Sequence, residues 1–291
     1  MVLARRGLKI GSFKCGPDYI DPAFHKIATG RSSYNLDSWT MSREVLDNNF
    51  ARAVAGTDII IAEGSMGLFD GVASIGASGD GSSSDIAARF GLPVVLVIDV
   101  SGQSQSAGAV ALGFRDFHAD VKIAGVILGN VASERHRLLA TKGVERAGIK
   151  VFGALPRGGV PTIPERHLGL VQASEIPKVS EMIDALADAM EKHLDIDSIL
   201  STSKPIIFSN PESRILKPKY KKIALAQDTA FSFIYEHMLS DWREQGVEIL
   251  PFSPLADETP DTSADMCWLA GGYPELYAEK LSGNQNFLQG L

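Results

Sequence analysis

Cysteine is scarce in this sequence: 291 residues hold only Cys15 and Cys267, far apart and in different predicted segments. So few thiols give neither a disulfide framework nor a thiolate metal site, and a reducing cytoplasm fits them best. No apolar run approaches the roughly 20 residues that span a bilayer, and the opening MVLARRGLKI lacks the apolar core of a signal peptide. Positive charge is in deficit, with 28 Lys and Arg against 35 Asp and Glu and a net charge of -7. That balance excludes a general attraction to nucleic acid or to an anionic membrane, so an anionic ligand needs a local cluster of donors. The six histidines show no ligand spacing, and no paired-cysteine motif or glycine-serine nucleophile elbow occurs, which argues against zinc and against α/β-hydrolase chemistry. Internal repeats are missing, and so is any GxxxxGKS/T phosphate loop.

What is present is an alternation. The short apolar runs LKIGSF, DIIIAEG, PVVLVIDV, IAGVILGNV and KVFGALP are separated by helical stretches. Runs that are apolar on both faces are how strands of a parallel, helix-covered sheet appear in sequence, so a doubly wound α/β unit is expected. The intervening stretches open with serine caps, and three reach a glycine at or just past their end. An amphipathic helix over 176–194 closes this first domain, expected to span 1–195. The segment 196–222 mixes proline, serine and lysine without a period and reads as a linker. A second αβ pattern, 223–291, follows: strand KKIALAQD, helix SFIYEHMLSDWREQG, strand VEILPFSPL and the run DMCWLAGGYPEL. The start MVLARRG reads as the last turn of a helix capped by Gly7, so the first domain is expected to be incomplete at its N-terminus.

Four places carry chemistry. In FKCGPDYIDP the strand is read as ending at Phe13, with Lys14, Asp18 and Asp21 in a loop stiffened by Pro17 and Pro22. Open α/β sheets place ligands beyond the carboxyl ends of their strands. A lysine with two carboxylates there suits a phosphate and its magnesium ion, and solvated turn aspartates are the plainer alternative. In DIIIAEGSMGLFDG a buried strand is expected to run into Glu63, with Gly64, Gly67 and Gly71 letting the chain bend around what Glu63 and Asp70 face. Asp99 ends another strand before Ser101, Ser104 and Ser106, which read mainly as caps, and Asn130 is either a turn residue or a reader of a base edge. In CWLAGGYPEL the turn Gly271-Gly272 exposes backbone N–H groups to an oxyanion or is simply tight, while Cys267 is expected to be buried in its strand.

Together, FKCGPDYIDPAFH, NLDSW, EGSMGLFDG, ERHLGL and LAGGYPELYAEKLSGN, in this order over essentially the whole chain, resemble the cobyrinic acid a,c-diamide synthases, and the middle section is most similar to their hydrogenobyrinic acid branch. Dethiobiotin synthetases resemble the first domain at a distance, without the GGYPEL run. The resemblance implies a dethiobiotin-synthetase-like P-loop architecture lacking its first strand and phosphate loop, followed by part of a class I glutamine amidotransferase domain. It implies ATP- and glutamine-dependent amidation of the a and c carboxylates of the corrin precursor through acyl phosphates, in cobalamin biosynthesis. Lys14 would lie against the transferring phosphates, and Asp18, Asp21 and Glu63 would organise magnesium and the reacting carboxylate. Asp70 would be a further contact near the substrate, Asn130 would recognise adenine, and Gly271 and Gly272 would form the oxyanion turn. The implied cofactor is Mg2+ with ATP as co-substrate. The implied partners are small molecules, namely the corrin polycarboxylate, ATP and glutamine, with neither nucleic acid nor membrane, and a homodimer is compatible with them. The family's phosphate loop and its glutaminase cysteine and histidine have no counterpart here, so the chain is expected to be a fragment of the enzyme. A truncated, non-catalytic corrinoid-binding protein and a cobyric acid synthase-like enzyme acting on other ring carboxylates are the alternatives.

Overall fold

Each apolar run forms a parallel strand, and each serine- or aspartate-led stretch between them returns the chain as a helix. The computed structural model describes residues 1–166, 169–206 and 218–291. After the short α1 (Val2–Arg5), the strands β1 (Ile10–Cys15), β2 (Ser33–Leu36) and β3 (Ile59–Glu63) are joined by α2 (Asp21–Thr29) and α3 (Arg43–Val54). Helix α4 (Ser83–Phe90) leads to β4 (Pro93–Asp99), and α5 (Ala107–Phe117) and α6 (Glu134–Arg146) connect it to β5 (Lys122–Val131) and β6 (Val151–Pro156). A small antiparallel pair, β7 (Glu165–Arg166) and β8 (Gly169–Leu170), precedes α7 (Val179–His193) and α8 (Ile196–Leu200). The last part contains β9 (Lys222–Ala226), α9 (Glu236–Glu244), β10 (Glu248–Phe252), β11 (Met266–Leu269), α10 (Ala278–Gly283) and α11 (Gln285–Gly290).

Among the described residues the architecture is α/β with three parallel three-stranded sheets, ordered β2-β1-β3, β4-β5-β6 and β10-β9-β11. Where the sequence predicts one doubly wound sheet, the first six strands form two sheets, and no ladder joins β3 to β4 among the described residues. Lacking a partner on one side, both strands are wetter than their composition predicts: Ile61 is 48% exposed and Val97 63%. Phe13, Phe50 and Phe90 stack in the core of the first sheet, and Leu96, Val126, Leu128 and Val144 anchor the second against α5 and α6. Those two helices approach so closely at Gly108 that a Cβ there would run into the carbonyl of Gly143.

Boundaries differ from the sequence reading in ways that matter for the site. Strand β1 does not stop at Phe13 but continues through Lys14 and Cys15, because β3 pairs with it as far as Lys14 and β2 as far as Cys15. Asp21 is the first residue of α2 instead of a loop residue. Helix α9 begins at Glu236, four residues late, because the Phe233 N–H donates to the Gly271 carbonyl (2.8 Å) and holds that stretch extended. Cys267 is exposed, since β11 is an edge strand. Ser42, Ser82 and Ser133 cap their helices as expected, whereas Ser106 precedes α5 without a capping bond from its side chain. The expected linker begins with α8; its residues 207–217, and His167 and Leu168 of the ERHLGL motif, lie outside the described residues. Among the described residues no helix is long and apolar enough to cross a membrane.

Candidate functional site

Parallel register sets the centre of the site. Lys14 in β1 is level with Asn35 of β2 on one side and Glu63 of β3 on the other, at the carboxyl ends of all three strands. The side chain is buried, and its Nζ donates to Asp21 Oδ2 (2.6 Å), Glu63 Oε1 (3.1 Å) and the Gly64 carbonyl (3.4 Å), with Asp18 Oδ2 at 3.8 Å. Burial pulls the lysine pKa down, but the bond to Asp21 and the charges of Glu63 and Asp21 outweigh it, so the ammonium is held above the usual lysine range.

Each carboxylate is placed by different local means. Asp18 Oδ1 accepts the N–H groups of Ile20 (2.7 Å) and Asp21 (3.0 Å), an Asx turn that starts α2. The buried Asn35 amide donates to the carbonyls of Gly16 (3.1 Å) and Asp18 (2.6 Å) and so fixes the loop between them. Asp21 opens α2 with Pro22 behind it, facing the positive end of the helix dipole. Burial raises its pKa, the Lys14 bond opposes this, and the neighbouring charges of Glu63 and Asp18 tip the balance upward. For Glu63 burial also pushes upward, but hydrogen bonds and charges from His25 and Lys14 prevail and hold it below the usual carboxylate range.

The structure thus brings Lys14, Asp18, Asp21 and Glu63 together. Glu63 ends a strand that is expected to be buried, yet its side chain keeps 46% of its surface exposed while its inner part is desolvated against Lys14 and His25. Asp70 is not part of the cluster's bonding: its Oδ2 accepts the Gly67 N–H (3.0 Å) across a tight turn. Asn130 sits in β5 at a φ of 56°, and its amide donates to Asp99 Oδ2 (2.8 Å), joining two residues flagged separately in the sequence. The Gly271-Gly272 turn belongs to the third sheet and is tied to Phe233.

Several neighbours went unread. His25 stands one helical turn after Asp21, so its i, i+4 spacing in DPAFH was the available signal. Its Nε2 meets Glu63 Oε2 at 2.5 Å and its Nδ1 meets Ser33 Oγ at 3.1 Å. Tyr19, between the two aspartates, stacks on Phe233 (centroids 5.0 Å) and Tyr235 (4.3 Å), so the last part of the chain packs directly on the acidic loop. Burial and the adjacent Tyr19 raise the Tyr235 pKa. Cys15, next to Lys14, is buried, and burial pushes its thiol up to about 11. Among the described residues no group of three His, Cys, Asp or Glu side chains converges on a point that a metal ion could occupy. Lys14 fills the space between the carboxylates.

Fold and site define an α/β protein that gathers a buried lysine and a set of carboxylates at the carboxyl ends of parallel strands. No family model matches the chain. The chain is similar to the hydrogenobyrinate a,c-diamide synthases of Rhodobacter capsulatus (51% identical over 289 residues), Mesorhizobium japonicum (50% over 291) and Agrobacterium fabrum (48% over 289). Each alignment covers 99% of this chain and 66% of the relative, so the chain spans about two thirds of the length of these proteins. It belongs to the cobyrinic acid a,c-diamide synthase family.

Proposed function

We propose that the protein carrying this chain takes part in ATP- and glutamine-dependent amidation of the a and c carboxylates of hydrogenobyrinic acid, a step of cobalamin biosynthesis. The observation that carries the reading is the Lys14 ammonium held among Asp18, Asp21 and Glu63, in a chain whose relatives bear the name of that synthase. Phosphoryl transfer to a carboxylate asks for positive charge beside the moving phosphate and for fixed positions. Lys14 supplies the charge, and its three carboxylate partners hold it at the strand ends.

Three carboxylates around one ammonium leave the site net negative, so a phosphate enters it only in company with a cation. The residues fit magnesium in that limited sense: Mg2+ takes one or two carboxylates with substrate phosphates and water and needs no preformed cage. Asp18, the carboxylate set farthest from Lys14 at 3.8 Å, and Asp21 or Glu63 would hold it, and it would supply neutralisation of phosphate charge. In the same reading Gly271 and Gly272 offer the oxyanion turn for glutamine, and Asp70 meets the corrin side chain. Asn130 would offer adenine its amide oxygen and second N–H while its other N–H stays on Asp99.

The test is to incubate the product of the whole gene with hydrogenobyrinic acid, ATP, Mg2+ and glutamine and follow the corrinoid by mass spectrometry. Conversion of two carboxylates to amides, at positions a and c by NMR, is expected. An unchanged corrinoid, or amides at other ring positions, overturns the reading.

A further inference from the structure

The geometry points to His25 as a positioning residue of this site, fixing the Glu63 carboxylate in its working orientation. The inference rests on the reading above for its kinetic test only. Glu63 ends an edge strand and is followed by Gly64, so the backbone leaves its side chain a choice of rotamers, and a freely rotating glutamate has entropy to lose. Lys14 attracts it as a compact point charge with little directional demand. His25 is different: a ring N–H is directional, and at 2.5 Å Nε2 engages one carboxylate oxygen while Oε1 stays with Lys14 at 3.1 Å. Both oxygens of Glu63 are therefore assigned.

The imidazole is itself held in place. Asp21 and His25 lie on one face of α2, so the helix that delivers Asp21 to Lys14 delivers His25 to Glu63. Ser33, buried in β2, meets Nδ1 at 3.1 Å, and its Oγ also lies 3.2 Å from the Ser12 carbonyl in β1. A chain of contacts from β1 and β2 through Ser33 and His25 thus ends on the carboxylate at the tip of β3. A merely structural histidine would pin α2 to the sheet; a positioning residue decides where Glu63 points.

The experiment uses the product of the whole gene. His25→Leu removes the donor while keeping bulk, and His25→Gln retains an N–H near the position of Nε2. The expected result is a kcat for amidation about 10- to 100-fold lower in H25L, as for other removed outer-shell partners, with KM for the corrinoid unchanged. H25Q is expected to recover most of that loss, and H25L is expected to add nothing in an E63Q background. Independently of activity, a crystal structure of H25L is expected to show the Glu63 carboxylate turned away from Lys14. Should H25L not fold, Ser33→Ala, which leaves His25 in place, is expected to show the same kcat loss in smaller degree. An unmoved Glu63, an equal loss in H25Q and H25L, or additive effects of H25L and E63Q would overturn the proposal. Absence of amidation by the unmutated protein would count against the functional reading, and the Glu63 orientation would still decide the role of His25.

Discussion

Asp21 shows how a residue can be well bonded and still ill at ease. Its bond to Lys14 is 2.6 Å, yet burial and the charges of Glu63 and Asp18 raise its pKa. A carboxyl whose folded pKa lies above its unfolded value favours folding when protonated, and that contribution is lost as pH rises through the folded pKa. At neutral pH the ionised form therefore weighs against the fold. Asp21→Asn, which mimics the protonated form, is expected to melt at or above the wild-type temperature at pH 7 by calorimetry, while the amidation proposed above is expected to drop by at least about tenfold. A lower melting temperature would mean that the Lys14 bond dominates. Glu63 has the opposite sign: held below its usual range, it stabilises the fold above the unfolded pKa and loses that effect as pH falls through the folded one. Lys14, Asp18, Asp21 and Glu63 were readable in the sequence because strand ends and proline-bounded turns announce themselves locally. His25 was not, because what gives it meaning is Glu63, thirty-eight residues away and adjacent only through the β1–β3 pairing.

The elements follow the sequence most faithfully where both termini carry a local signal. Helices α3, α4 and α6 begin at their serine caps, and α4 ends on Gly91 at a φ of 62°. Misreadings arose where a distant partner set the boundary: β1 runs past Phe13 because its neighbours do, and α9 waits until Glu236 because Gly271 claims Phe233 first. No local pattern carries either fact. A composition signal also misled at β3 and β4, whose β-branched residues read as buried although each strand has one unpaired side among the described residues. The crossing of α5 and α6 was equally silent, since a glycine in a helix is a weakness until its neighbour is known. Gly108→Ala places a methyl against the Gly143 carbonyl and is expected to cost about 1–3 kcal/mol in urea unfolding, despite alanine's better helix propensity. Gly113, in the same helix with open space around it, is expected to gain from the same substitution.

Across the whole molecule, residues 218–291 meet the earlier chain through side chains. Arg52 donates to Asp241 (2.5 Å) and Glu244 (2.6 and 3.0 Å), Gln172 bonds to Thr229 and Ser232, Arg166 lies over the Tyr273 ring, and Tyr19 stacks on Phe233 and Tyr235. Among the described residues no strand pairing and no backbone-to-backbone hydrogen bond crosses this boundary. Each side keeps its own ladder and its own apolar cluster, with Ala226, Phe231 and Phe252 in the later one. The consequence is one of genetics as much as of mechanics: two parts whose described contacts run through side chains are expected to find each other again when the gene is cut between them. Two polypeptides, ending at 206 and beginning at 218, are expected to co-purify when co-expressed. Exchanging Arg52 for Glu in one and Glu244 for Arg in the other is expected to break and then restore that pairing. Related genes could then exchange one of the two parts by replacing one reading frame and matching a handful of contacts.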